Sequence, residues 1–206
     1  MVHCVTYGAL DKPFIVVSGL PCSGKSSLAA RLAPALKLAV IDKDEILERL
    51  FQLKGKGDSS HRRMLSRESD LIFQSEAKIS EGALLVSFWP LPGMASDSGT
   101  PTNWLPSISS RIVNLHCICS PEIAADRFLK RKRHPGHLDG ERSGGLILTG
   151  IQRIAGLQRL DIGRRIEVDT SKDPGVEALA ASIFAALGLS KETNSRRKQQ
   201  LSSFNT

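Results

Sequence analysis

The chain has 206 residues, of which 28 are Lys or Arg and 21 are Asp or Glu, giving a formal charge of +7 and a pI near 9.5. With 41% hydrophobic and 24% charged residues, it reads as one folded domain with a sizeable core, which excludes a disordered, collagen-like or disulfide-stapled chain. No stretch approaches the ~18 consecutive apolar residues of a membrane span, and residues 1–14 lack a basic region followed by an apolar signal core, so a cytoplasmic protein with no membrane partner is expected. Cys4, Cys22, Cys117 and Cys119 form no C-x-x-C pair and are expected to be reduced thiols. A basic balance suits nucleic acid or an anionic small ligand equally well. Part of it is local: residues 190–206 hold Lys191, Arg196, Arg197 and Lys198 among polar residues and read as a basic, disordered tail behind a domain of residues 1–189.

Phe14-Ile15-Val16-Val17 is an unbroken apolar run, as in a strand buried on both faces of a parallel sheet. A helix follows over residues 25–33, with Leu28 and Leu32 at helical spacing and Pro34 marking its end. Leu38-Ala39-Val40-Ile41 is the next strand, and Ile46, Leu47, Leu50 and Phe51 are the apolar stripe of a second helix. Beyond a loop at residues 54–60, the apolar set Met64, Leu65, Leu71, Ile72 and Ile79 predicts a long helix. Further strands are expected at residues 83–86, 112–119 and 166–169, and helices at 121–131, 146–160 and 174–187. Residues 90–106 form a Pro-, Gly- and Ser-rich loop long enough to suggest a binding role. Strands alternating with helices predict a parallel, doubly wound α/β sheet.

Gly19-Leu20-Pro21-Cys22-Ser23-Gly24-Lys25-Ser26 matches G-x-x-x-x-G-K-[ST] in full, between a strand and a helix as the motif requires. Its glycines let the backbone fold around an anion, and the following helix start adds its positive dipole end. Lys25 is then expected at the β- and γ-phosphates of a nucleotide and the Ser26 hydroxyl on Mg²⁺. Cys22 inside the loop could be an oxidation-sensitive switch, though a small filler suits it better. No Asn-Lys-x-Asp base-reading motif occurs, which argues against a GTPase. The third strand runs into Ser87-Phe88-Trp89-Pro90 without an acid, which argues against a water-activating ATPase.

The chain resembles the small P-loop kinases, an AAA-type ATP-binding group that includes shikimate kinase, gluconate kinase, chloramphenicol phosphotransferase and polynucleotide kinase. The resemblance rests on residues 19–27, on Val40-Ile-Asp-Lys-Asp-Glu-Ile46, and on the Arg-rich segment of Arg127, Arg131, Lys132 and Arg133. It implies a three-layer P-loop NTPase fold with a five-stranded parallel sheet, a mobile lid near residues 131–146, and ATP- and Mg²⁺-dependent phosphate transfer to a hydroxyl of a small metabolite or antibiotic. It also implies that Gly19, Leu20, Pro21, Cys22, Ser23, Gly24, Lys25, Ser26 and Ser27 wrap the phosphates, that Asp42 helps hold the Mg²⁺ shell, and that Asp44 touches the acceptor hydroxyl. Arg127 and Arg131 would be lid arginines over ATP, and Thr170 would lie beside the adenine.

The residues themselves support part of this. Positions two apart on a strand share a side, so Asp42 and Asp44 can both face the phosphate site, and an anion there can take a hydroxyl proton. Asp44 can equally cap the next helix while Asp42 is a solvated strand end. Arg127 and Arg131 lie one turn apart on one helix face, and guanidinium forks suit phosphate oxygens. Lys132 and Arg133 read about equally well as a solvated basic helix end. Two further sets stay open. Cys117, Cys119, His134 and His137 could complete a zinc tetrahedron, though cysteines in an apolar strand favour core thiols. The hydroxyls, acid and indole of residues 96–104 could hold a polyol, or Trp104 could anchor the loop in the core, with Phe88 and Trp89 beside it. The rival functions are a polynucleotide 5′-hydroxyl kinase, which the 5% aromatic content disfavours because single strands bind by stacking, and a non-catalytic ATP-binding regulator.

Overall fold

Burial on both faces decides the centre of the molecule. In the computed structural model, which describes residues 11–95, 98–141 and 143–189, Phe14, Ile15, Val16 and Val17 have no exposed surface at all. They belong to β1 (Phe14–Gly19), which pairs in parallel with β3 (Ala83–Val86) on one side and β4 (Ile112–Ile118) on the other. With β2 (Ala39–Asp42) and β5 (Arg164–Asp169) at the edges, the sheet has five parallel strands in the order β2-β3-β1-β4-β5. Strand order reverses around β1, so its carboxyl end opens at the topological switch where such sheets bind ligands.

The two-residue period of β1 splits the core into two layers. Ile15 and Val17 pack with Leu28 and Leu32 of α1 (Lys25–Leu36) and Ile183 of α7 (Val176–Ala186). Phe14 and Val16 pack against Ile46 of α2 (Lys43–Lys54), Phe73 of α3 (Ser59–Ile79) and Leu105 of α4 (Leu105–Ile108). Beside the carboxyl edge, α5 (Pro121–Lys130) and α6 (Gly144–Ala155) pack on each other through Ala124, Phe128, Ile147 and Ile151. Two short 3₁₀ turns, Pro135–His137 and Asp139–Glu141, connect them. The expected three-layer α/β fold with a five-stranded parallel sheet is present. No helix of the described residues is long and apolar enough to cross a membrane. The tail at residues 190–206, with Cys4, Ser96 and Asp97, lies outside the described residues.

Two local expectations need correction. Pro34 lies inside α1 instead of ending it. Its missing N–H forfeits one helical bond, but Leu36 beyond it is buried against the same core, and Lys37 in left-handed conformation closes the end by donating to Ala33 and Pro34 oxygens. In α3 the buried positions are Leu65, Ser69, Phe73 and Ala77, while Met64, Leu71 and Ile79 are 54%, 69% and 78% exposed. The Phe73 ring stands edge-on to Trp89 and Trp104, at centroid distances of 5.8 and 6.1 Å, and this fixes the helix rotation. Ser69 then turns inward and satisfies its hydroxyl on the Ser66 carbonyl at 2.7 Å.

Candidate active site

The loop between β1 and α1 is shaped by its glycines. Gly19 has φ +134°, and a Cβ there would lie 2.4 Å from the Cys117 carbonyl oxygen; Gly24 has φ +85°. Cys22 also takes the left-handed region, at φ +59°. α1 then starts at Lys25 without a side-chain cap, so its first N–H groups are left for a ligand. The Lys25 ammonium donates back to the Gly19 and Leu20 carbonyls at 3.2 and 2.7 Å, and burial lowers its pKa. Ser23 Oγ is buried without a partner among the described residues. A concave turn with orphaned donors and a desolvated lysine suits a polyanion such as a nucleotide phosphate chain.

β5 braces this loop. The Thr170 hydroxyl, just past β5, lies 2.6 Å from the Ser23 carbonyl and 3.0 Å from the Ile118 carbonyl, and Arg127 of α5 donates to the Thr170 carbonyl at 2.7 Å. Arg127 and Thr170 thus sit against Gly24 and hold the loop from behind as well as facing the cavity.

On the other flank, Ser26 Oγ donates to Asp42 Oδ2 at 2.6 Å. Asp42 is 6% exposed, and burial pushes its pKa up to about 6, opposed by the Ser26 hydrogen bond. Its other oxygen accepts from the Asp44 N–H at 2.9 Å, so Asp42 caps α2. The expectation that Asp42 and Asp44 share a strand face is therefore wrong: β2 ends at Asp42, and Asp44 lies in the first turn of α2. Both still line one cavity. Between them Lys43 points the other way, into a buried ion pair with Asp70 at 2.7 Å.

Opposite Asp44 lies the segment after α5. Arg133 donates to Asp44 Oδ2 at 2.6 Å and grips both oxygens of Asp139 at 2.9 Å, while Arg131 reaches Asp139 at 3.2 Å and stacks over the Phe128 ring at 4.1 Å. The segment is fastened to α2 by Phe51, whose ring stacks with His134 at 5.2 Å and meets His137 edge-on at 5.3 Å. His137 also lies 3.1 Å from Glu48. A Cβ on Gly136 would be 2.7 Å from the Phe51 ring, so only glycine permits this approach.

Together these walls enclose an open cavity of about 1040 Å³ lined by Lys25, Ser26, Asp42, Asp44, Arg127 and Arg131 among others. Thr170 also lines it, whereas Gly19, Leu20 and Ser23 of the phosphate loop do not. Arg133, which the sequence left undecided, makes the direct contact with Asp44, and no local pattern distinguishes it from Lys132. The loop of residues 98–104 does not line the cavity. Thr100 is buried with its hydroxyl 2.5 Å from that of Ser87, and the Trp104 and Trp89 indoles donate to the Pro101 and Val17 carbonyls at 2.7 and 3.0 Å. Its described part is a buttress, and of the two aromatic residues just past β3 only Phe88 reaches the cavity. The zinc tetrahedron does not form. Burial raises the Cys117 thiol pKa to about 12, both histidines pack on Phe51, and the described residues contain no metal-competent group of three or more His, Cys, Asp or Glu. His116 instead bonds Ser18 at 2.9 Å.

A phosphate-type loop at the switch point of a five-stranded parallel sheet defines the P-loop NTPase class. Residues 14–84 match the sequence model of a family described as an AAA domain. No curated protein is significantly similar in sequence. Among solved structures, a protein of Chloroflexus aurantiacus provisionally described as a kinase superposes with a TM-score of 0.68 at 21% identity, over 85% of this chain and 98% of its own. A sugar kinase of Janibacter sp. gives 0.52 at 17% identity over 87% and 96%, and shikimate kinase of Bacteroides thetaiotaomicron 0.53 at 17% over 86% and 99%. The chain thus has the fold of the small P-loop kinases.

Proposed function

We propose that the protein is a Mg²⁺-dependent kinase that moves the γ-phosphate of ATP to a hydroxyl of a small molecule. The observation that carries this reading is the single cavity in which the phosphate-type loop, the Ser26–Asp42 pair and the Asp44–Arg133 pair face one another. Residues 19–27 wrap the triphosphate with backbone N–H groups, and Lys25 leaves the Gly19 and Leu20 carbonyls for the β- and γ-oxygens. Ser26 and Asp42 would hold Mg²⁺, which supplies neutralising charge to those oxygens. Thr170, Lys172 and Arg31 line the nucleotide end of the cavity.

At the other end, Asp44 accepts the hydrogen of the acceptor hydroxyl and receives its proton as the acceptor oxygen bonds the γ-phosphorus. The bond from that phosphorus to the β,γ-bridging oxygen breaks, and ADP leaves with the electron pair. Arg127, Arg131 and Arg133 offer guanidinium groups to the charge spread over the transferring phosphoryl oxygens. Acceptor-dependent ADP release tests the reading: the wild type releases ADP faster with a hydroxyl acceptor present, and Asp44→Asn does not.

A further inference from the structure

We propose that Asp139 is a positioning residue of this site: it clamps one edge of the Arg133 guanidinium so that a third nitrogen contact stays on Asp44 Oδ2, and Asp44 Oδ1 is left to the acceptor hydroxyl. This rests on the kinase reading above and adds to it the group that orients the charges around Asp44. Arg133 donates from Nε to Asp139 Oδ2 and from Nη2 to Asp139 Oδ1, both at 2.9 Å, and from Nη1 to Asp44 Oδ2 at 2.6 Å. A guanidinium is planar, with its donors fixed relative to one another. Once one carboxylate holds two of them, the direction of the third is set, so Asp139 decides where Nη1 lies. The remaining donors stay available to phosphoryl oxygens.

The same carboxylate gathers Arg131, whose Nη2 lies 3.2 Å from Asp139 Oδ2 and whose guanidinium stands 4.1 Å from the centre of the Phe128 ring. Two positive charges that would repel each other thus share one counter-charge on a cavity wall that also carries Lys25, Arg127 and Lys132. Burial opposes charge on Asp139, but the Arg133 hydrogen bonds and the charges of both arginines hold its pKa below the ordinary aspartate value. The turn that carries it is anchored to α2, where Gly136, His134 and His137 pack on Phe51. Leu138 then takes the left-handed region at φ +58°, with its N–H on the Pro135 carbonyl at 3.0 Å, immediately before Asp139. Asp139 is therefore a clamp on an anchored turn, with its side chain only 27% exposed.

The test uses the full chain, wild type and Asp139→Asn, each also in an Arg133→Ala background. Asn keeps the size of Asp139 and its suitability for turns, so the variant folds. Acceptor-dependent ADP release is measured with glycerol, D-gluconate, shikimate and 2-phenylethanol, beside the Kd of a non-hydrolysable ATP analogue. Hydrogen exchange of the Arg133 Nε–H is followed by ¹⁵N NMR, with the resonance assigned by its loss in Arg133→Lys. We expect Asp139→Asn to lower kcat about tenfold or more with the ATP-analogue Kd within about threefold, to cost at most about twofold once Arg133 is alanine, and to speed Nε–H exchange at least about tenfold. Unchanged kcat, or a loss of equal size in both backgrounds, overturns the inference. If no acceptor raises ADP release in the wild type, that failure belongs to the kinase reading, and the Nε–H decides separately. Protection in the wild type that is lost in Asp139→Asn upholds the clamp, whereas a proton unprotected in the wild type, or equally protected in both, overturns it.

Discussion

Arg133 places a guanidinium nitrogen 2.6 Å from a carboxylate oxygen of Asp44, 89 positions away in sequence. This contact joins the segment after α5 to the first turn of α2 and brings positive charge to the residue proposed to take the acceptor proton. Because the Asp44 side chain is 55% exposed, the pair adds only about 0.2–1 kcal/mol to stability. Its value lies in placement. Arg133→Ala also breaks the fork onto Asp139, whose partner Arg133 is only 17% exposed, so it is expected to lower stability by about 1–3 kcal/mol and kcat by roughly tenfold or more, with Arg133→Lys restoring part of the loss because it keeps charge without the fork. Steady-state kinetics beside urea denaturation check this.

Asp44→Asn removes the proposed base while keeping the shape of the site. General-base loss corresponds to roughly 10²–10⁴ in kcat, whereas ATP affinity, set by the loop at residues 19–27, should hold within a few-fold. Titration with a fluorescent ATP analogue and acceptor-dependent turnover separate the two.

Lys25→Met should cost roughly 10²–10³ in kcat, the usual loss of a charge-stabilising donor at a reacting centre. Stability should not fall, because the ammonium is held desolvated against two loop carbonyls, and methionine fills the space without that burden. A drop in melting temperature with full activity would contradict this role.

Asp42 makes the pH dependence specific. Its pKa is pushed up to about 6 by burial, above the ~3.9 of an unfolded aspartate. Between about pH 4 and 6 the folded chain therefore binds more protons than the unfolded one, so this group's contribution to stability declines as pH rises through that window. Asp42→Asn, which keeps the helix cap, should stabilise the metal-free protein at pH 7 by about 1–3 kcal/mol. Mg²⁺-dependent nucleotide affinity of the wild type should fall as pH drops through 6, and the variant should lose that dependence.

Thr170→Val deletes the hydroxyl that ties the phosphate loop to β5 through the Ser23 and Ile118 carbonyls. A cost of about 1–2 kcal/mol is expected, with weaker ATP binding as the loop loosens. Calorimetry with and without nucleotide measures both.

The elements easiest to read from the sequence were those whose signal is local. Residues 19–26 carry their conformation in the glycines and their position in the flanking strand and helix. The bilateral burial of β1 is written in the unbroken run Phe14 to Val17. Harder residues owed their places to distant partners. Phe73 set the rotation of α3 by meeting Trp89 and Trp104, so the apolar stripe through Met64 and Leu71 was misleading. Arg133 differs from Lys132 only in facing Asp44 and Asp139, a choice made by the packing of Gly136, His134 and His137 on Phe51. The two-residue strand period does not relate Asp42 to Asp44, since the change from strand to helix falls between them.

The fate of the γ-phosphate distinguishes transfer to a hydroxyl from hydrolysis. With γ-labelled ATP, Mg²⁺ and a panel of small-molecule hydroxyl acceptors, the wild type should yield a labelled phosphate monoester of the acceptor, and Asp44→Asn should yield at most about a hundredth as much. Label recovered only as inorganic phosphate, at a rate indifferent to acceptor and to Asp44→Asn, would mean that the protein is not a kinase acting through Asp44.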